Sequence, residues 1–317
     1  MATPGNAGVL LNRGENFLDL TALIECFTSL SCVVTQSTSG LIIGGLLFLV
    51  AAGLTLIFGV LGVINFTHGA FYMLGAYMAL SVYRVTDSFA IAIIGAALGV
   101  ALFGIFFERF FMRRVYGQDV LMQLLVCYAF VLILDDVVKI VWGPEFQAMG
   151  MPATFQLPPF IIGGGIIPAF YLFLICAAAA IAITLWYVLV KTKVGKIVRA
   201  AAVNPQMTSA LGLNTSLIYS SVFALGGALA GMAGALAAPV RSMSPGMGFS
   251  ILIESFIVTV IGGMGSVSGA LVAALLMGLV RSFGSIGFPL FVEGTMFAAM
   301  VIILLVKPSG IMGKESR

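Results

Sequence analysis

Charge is the scarcest property of this chain. Only 15 Lys and Arg and 12 Asp and Glu occur in 317 residues, 9% of the total, against 61% hydrophobic residues and a mean hydropathy of +1.16. A soluble domain of this length needs far more charge to cover its surface, so that class is excluded. His68 is the one histidine, and no His, Cys, Ser and acid constellation has the spacing of a catalytic or metal site. Four cysteines, Cys26, Cys32, Cys127 and Cys176, lack zinc-like spacing and read as buried free thiols. No phosphate loop G-x-x-x-x-G-K-[ST] is present: Gly195-Lys196 is followed by Ile197 and Gly313-Lys314 by Glu315, so no nucleotide or other cofactor is expected on this chain. The first forty residues carry Glu15, Asp19 and Glu25 without a basic start and an apolar run, so no cleavable signal peptide is expected. The net charge of +3 sits in short loops and gives no reason to expect a nucleic-acid partner.

Long apolar runs fill the rest. They cover roughly 41–64, 66–83, 89–107, 118–142, 160–190, 215–238, 249–264, 266–282 and 286–306, each of the length that crosses a bilayer or re-enters it. The fold class is therefore all-α: a polytopic membrane bundle of about eight or nine transmembrane or re-entrant segments. Short alternating strands, the mark of a membrane barrel, are missing. Residues 17–34 read as an amphipathic helix on the membrane face, or a poor extra span. Three basic clusters set the orientation: Arg109, Arg113 and Arg114; Lys191, Lys193, Lys196 and Arg199; Lys307, Lys314 and Arg317. Even numbers of passes separate them, so all three share one side, which the positive-inside rule makes the cytoplasm. The side of the N-terminus stays open at this stage.

Two of the apolar segments, 200 residues apart, share one pattern. In IFGVLGVINFTHGAFYMLGAYMAL and IVTVIGGMGSVSGALVAALLMGLV, Ile57, Val60, Gly62, Gly69 and Ala70 align without a gap on Ile257, Val260, Gly262, Gly269 and Ala270. The glycines bracket a short polar interruption in each copy. Glycine-broken segments at matched places in two halves point to a transport pathway, because freed backbone groups must face protein or a wet cavity. The candidate pathway set is Asn65, Thr67, His68 and Gly69 with Gly262, Gly263, Gly265, Ser266, Ser268 and Gly269. The glycines serve tight helix packing equally well, and the copies could run parallel or inverted. His68 reads better as a hydrogen-bonded group at a helix break than as a proton relay. Met73, Met78, Phe66, Phe71 and Tyr72 read as core and lipid contacts.

The loop KTKVGKIVRAAAVNPQMTSALGLN, residues 191–214, carries no negative charge, since no acid lies between Glu145 and Glu254. Asn204 before Pro205 is a cap with proline at the first helical position, and Gly212 supplies a stop. A helix of about two turns is expected there, outside the bilayer. Positive-inside anchoring explains the lysines; a docking element explains the capped helix as well. Lys196, Arg199, Asn204, Pro205, Ser209, Leu211, Gly212 and Leu213 are its candidate contact residues. Among the intramembrane acids, Asp135 and Asp136 lie a turn from Lys139 and read as a local ion pair. Glu293 is a further candidate, and Glu254 lies a turn into its span near the external face, where snorkelling or pairing at the rim is the simpler reading.

GLTLIFGVLGVINFTHGAFYMLGAYMA, GKIVRAAAVNPQMTSALGLN, AGMAGALAAPVRSMSPGMGFS, VIGGMGSVSGALVAALLMGLV and KPSGIMGK, in this order, resemble the LivH-type permease family. These are membrane subunits of ABC importers for branched-chain amino acids, with relatives for urea and short amides. The resemblance runs from about Ser39 to Lys314. It implies a permease domain at 39–314, an amphipathic or interfacial extension at 1–38 and a short cytoplasmic tail at 315–317. Where the family often has an acid after the His-Gly pair, this chain has Ala70. The resemblance further implies a multi-pass protein of the bacterial inner membrane with its C-terminus in the cytoplasm. It would be no enzyme itself, with no metal and no cofactor of its own. A second permease, two cytoplasmic ATPase subunits that use the ATP, and an extracytoplasmic binding protein would be its partners. The expected cargo is a small polar solute, branched-chain or other amino acids first, with urea or short amides as the alternative. A transporter acting alone on an ion gradient is the reading from another class.

Overall fold

A computed structural model describes residues 20–313; the first residues of the expected 17–34 helix, most of the extension before them, and Lys314 to Arg317 lie outside the described residues. The chain begins with α1 (Leu20–Thr28) and α2 (Leu30–Leu61), followed by α3 (His68–Thr86) and α4 (Phe89–Phe107). A π turn at Glu108–Met112 leads from α4 into the single turn α5 (Arg113–Val115), then α6 (Val120–Trp142). A two-stranded hairpin, β1 (Phe160–Ile162) and β2 (Gly165–Ile167), precedes α7 (Ala169–Lys191). Two short helices follow, α8 (Lys193–Val203) and α9 (Pro205–Ala210). The last four are α10 (Thr215–Ala237), α11 (Met247–Gly262), α12 (Val267–Gly287) and α13 (Val292–Val306). Among the described residues, six helices are long and apolar enough to cross a membrane. The helices α3, α6 and the shorter, apolar α11 complete the bundle, for which about eight or nine transmembrane or re-entrant segments are expected.

Three expectations change. The apolar run 160–190 is not one pass: Gly163 and Gly164 take positive φ of 58° and 82° and turn the chain into a hairpin with Phe160 opposite Ile167, as a two-residue primed turn requires. Helix then starts only after Pro168, which stands at the N-cap with extended ψ of 142°. The 17–34 stretch is also not one helix, since it breaks at Ser29 between α1 and α2. Cys26 and Cys32 flank that break and form a disulfide, and Cys176 is exposed; of the four expected buried thiols, only Cys127 fits. Their six-residue separation across a helix break could have been noticed in the sequence.

The bundle closes by glycine. α2 lies antiparallel to α12, with Gly40 and Gly44 against the backbone of Gly278, Ala274 and Leu275. Likewise, α10 lies antiparallel to α4, where Gly227 and Gly231 meet the carbonyls of Val100 and Ala96. Gly75 of α3 meets Gly231, and Gly69 meets Gly248 of α11. Helices this close have lost the side chains that would hold them apart, the usual arrangement where lipid offers no hydrophobic drive to associate. Around Phe71, the rings of Phe103, Phe107 and Phe223 fill the remaining space with near-perpendicular contacts. Outside this core, α6, α7 and α13 present apolar faces such as Ile140, Trp186 and Leu305 outward, as lipid contact demands.

The packing also orients the two repeats. Because α2 opposes α12 and α12 reverses α11 at the second break, α2 and α11 run the same way, joined by a 3.2 Å hydrogen bond between Thr55 and Thr259. The repeats are parallel. Arg113 reaches Ser216 and Ser220 at the start of α10, and α8 packs on α2 and α10. After Lys307 the chain returns to the second break, with Ile311 and Met312 donating to Ile261 and Gly262. One end of the bundle therefore collects the basic residues.

Candidate functional site

At the first break, Gly62 ends α2 in the left-handed region at φ 69°, and six residues pass before α3 starts at His68. Asn65, Thr67, His68 and Gly69 are all buried. Asn65 Oδ1 accepts from the Thr67 amide at 3.0 Å, the Thr67 hydroxyl donates to the Cys127 carbonyl at 3.1 Å, and His68 Nε2 lies 3.0 Å from the Val50 carbonyl. These polar groups tie the break to α2 and α6, as buried polar groups must be tied. A hydrogen-bonded support at a helix break is thus what His68 provides.

The second break is more open. Ser266 caps α12 by accepting from the Gly269 amide at 3.1 Å, and Gly263 and Gly265 take φ of 96° and 88°. Gly262 and Gly263 are buried, Gly262 against Gly269 and Ala270 and Gly263 against Gly313, whereas Gly265 and Ser268 are exposed and Ser266 half-buried. The two breaks share glycine-on-backbone packing, Gly69 on Gly248 and Gly269 on Gly262.

The basic loop holds more helix than expected. Before α9, the alanine-rich lead is itself helical, α8, capped by Thr192 and held to α7 by Arg199 donating to the Leu189 carbonyl. α9 matches the expected design: Asn204 Oδ1 accepts from the Met207 amide at 2.9 Å, Pro205 takes the first position, and Gly212 turns at φ 83°. Lys196, Arg199, Asn204, Pro205, Ser209, Leu211 and Gly212 are exposed, and Leu213 is half-buried. Val203, Met207 and Leu211 add an apolar edge, the last 74% exposed. α8 and α9 thus form a capped projection with a mixed basic and apolar surface.

Two clusters escaped the sequence reading. Glu108, at the π turn, is fully buried; Arg113 bonds it through two nitrogens at 3.1 and 2.9 Å, and the Ser220 hydroxyl donates to it at 2.6 Å. Burial, and behind it the Glu108 carboxylate, push the Tyr116 phenol well above its ordinary value. The signal was the i, i+5 spacing of acid and arginine, which only a π turn brings to bidentate distance. The second cluster lies toward the opposite end, where Glu254 of α11 pairs with Arg281 of α12. Glu254 is buried, not at a wet rim, and its partner comes from 27 residues away. Asp135 and Asp136 do pair locally with Lys139, at 2.8 and 3.0 Å, as expected.

Comparison with known proteins agrees with this architecture. The family described as branched-chain amino acid transport system / permease component matches residues 37–306. The chain is 28% identical to the high-affinity branched-chain amino acid transport system permease protein BraD of Pseudomonas aeruginosa, over 88% of this chain and 95% of the relative. It is 28% identical to the corresponding permease protein LivH of Salmonella typhimurium over the same shares. Among solved structures, a chain of PsaBC from Streptococcus pneumoniae in complex with Fab aligns with a TM-score of 0.50 at 12% identity, covering 91% of this chain and 95% of that one. At that identity the likeness is one of fold.

Proposed function

The chain belongs to the branched-chain amino acid transport system permease family, and on that premise we propose that it forms half of an import channel for branched-chain or related amino acids, driven by separate ATPase subunits. The observation that carries the reading, beyond membership, is the α8–α9 projection. It stands out from the basic end with Met207 and Leu211 exposed beside Lys196 and Arg199. Apolar anchors within a charged rim are the composition of a protein interface. The positive-inside rule puts this end, with Lys307, in the cytoplasm. The Cys26–Cys32 disulfide at the other end suits an oxidising exterior. A second permease completes the channel, and an extracytoplasmic binding protein delivers the solute.

In this arrangement ATP draws the two ATPases together, α9 carries their movement, and the bundle rocks as packed bodies. The chain should co-purify with its ATPases. Ser209→Pro, which places proline inside α9 at a cost of about 3 kcal/mol to the helix, should leave the membrane bundle folded while solute-stimulated ATP hydrolysis drops. Uptake by the purified chain alone on a proton or sodium gradient would refute the proposal; full coupling in a folded Ser209→Pro complex would reduce α9 to a topological anchor.

A further inference from the structure

The membrane half away from the basic end contains two cavities that meet at Arg281 and Glu293. The larger, about 740 Å³, is open and lined partly by Gln36, Ser282 and Ser285. The smaller, about 230 Å³, lies deeper between α3, α10, α11 and α12. That size is below the ~300 Å³ floor of drug-sized pockets, so it suits a small solute. Its wall has two chemistries. Among its lining residues are Arg241, Glu254, Arg281 and Glu293, two cations and two anions, together with Tyr72. Met243, Met247 and Ile251 supply the apolar part of the same lining.

The charges are not arranged to satisfy one another. Glu254 is 8% exposed, yet only its Oε1 meets Arg281; Oε2 is buried with no hydrogen-bond partner. An unpaired carboxylate oxygen in such a place is costly unless a donor arrives. Arg281 commits one nitrogen to the pair and has further donors in its planar fork. Arg241 enters from the loop after α10, facing the Tyr72 hydroxyl. A lining with charges of both signs and with methionine and isoleucine side chains has the chemistry to take a solute that is itself zwitterionic at one end and aliphatic at the other.

We propose that this cavity is a binding site for an aliphatic α-amino acid on its way through the membrane. Its ammonium donates to Glu254 Oε2, its carboxylate accepts from Arg241 and Arg281, and its side chain rests on Met247 and Ile251. The proposal rests on the importer reading above and gives it a place in the fold.

The test uses the full complex with ATPases and binding protein, reconstituted in vesicles, with labelled leucine as probe. Glu254→Gln and Arg241→Gln should each lower leucine moved per ATP hydrolysed by about tenfold or more, the fold-change for losing a hydrogen bond to a charged group. Should Glu254→Gln fail to assemble, Arg241→Gln carries the test. The exchange Glu254→Arg with Arg281→Glu keeps an ion pair but inverts it; the site proposal requires leucine transport to stay impaired, whereas restored transport would make the pair a structural brace and overturn it. Unchanged transport in Arg241→Gln would overturn it too. A wild-type complex that moves no amino acid would instead bring down the importer reading itself.

Discussion

Gly269→Leu should remove the protein from the membrane as a folded permease, and Gly69→Leu should do the same. A Cβ at Gly269 would run into the Gly262 carbonyl oxygen, and one at Gly69 into that of Gly248, with Leu252 close behind. Backbone cannot give way there without parting α11 from α12 or from α3. The cost sits at or above the ~3 kcal/mol upper end usual for overpacking. Gly99 is the control. A Cβ there meets only the thioether end of Met78, which can swing aside, so Gly99→Leu should assemble at near-normal yield. Size-exclusion profiles and thermal unfolding of the three variants check this. Leu variants at 69 and 269 that assemble well but fail in uptake would return these glycines to the conduction route; normal assembly and uptake would show that the bundle opens at those seams.

Removing Arg113 should damage the protein more than removing the acid it holds. Arg113→Ala leaves the fully buried Glu108 carboxylate with only Ser220 and Tyr116 near it, a loss of roughly 3–5 kcal/mol for an orphaned buried charge. Glu108→Ala frees an arginine whose side chain is already 34% exposed and can turn to water, so its cost should fall nearer 2 kcal/mol, the value of a charged hydrogen bond. The double variant should recover part of the Arg113→Ala loss, since no orphan remains. Unfolding in a denaturant series measures all three. Equal losses for the two single variants, or a double variant worse than Arg113→Ala, would show that the network is held by the π turn and not by charge.

The sequence made the class, the apolar helices of the bundle and the capped α9 legible, because each rests on local signals: run length, Asn204 before Pro205, Gly212 after Leu211. It also carried the family. What it could not show depends on partners distant along the chain. Thr55 with Thr259, Glu254 with Arg281, and Gln36 with Ser282 are set by the crossing of α2, α11 and α12, and no spacing within one helix announces them. The matched glycines were legible as a repeat, but whether a glycine opens a route or admits a neighbour's backbone depends on what stands opposite. For Gly69, Gly262 and Gly269 it is a neighbour's backbone. Hydropathy alone misled at 160–190, where Gly163-Gly164 and Pro168 outweigh the apolar run, and around Ser29, where the break precedes a helix longer than expected.

The glycine seams decide where this protein is stiff. Six helices, α2, α3, α4 and α10 to α12, touch backbone to backbone, and such contacts have no soft side chain to compress or rotate. That block transmits displacement without absorbing it, as a solid body does. Compliance is left to α6, α7 and α13, which rest on the block through side chains. In the importer proposed above, a push on α9 would enter through α8 and α10, so it would arrive at the block whole, and the charged cavity beside α10 and α11 would shift with the block while the outer helices yield around it.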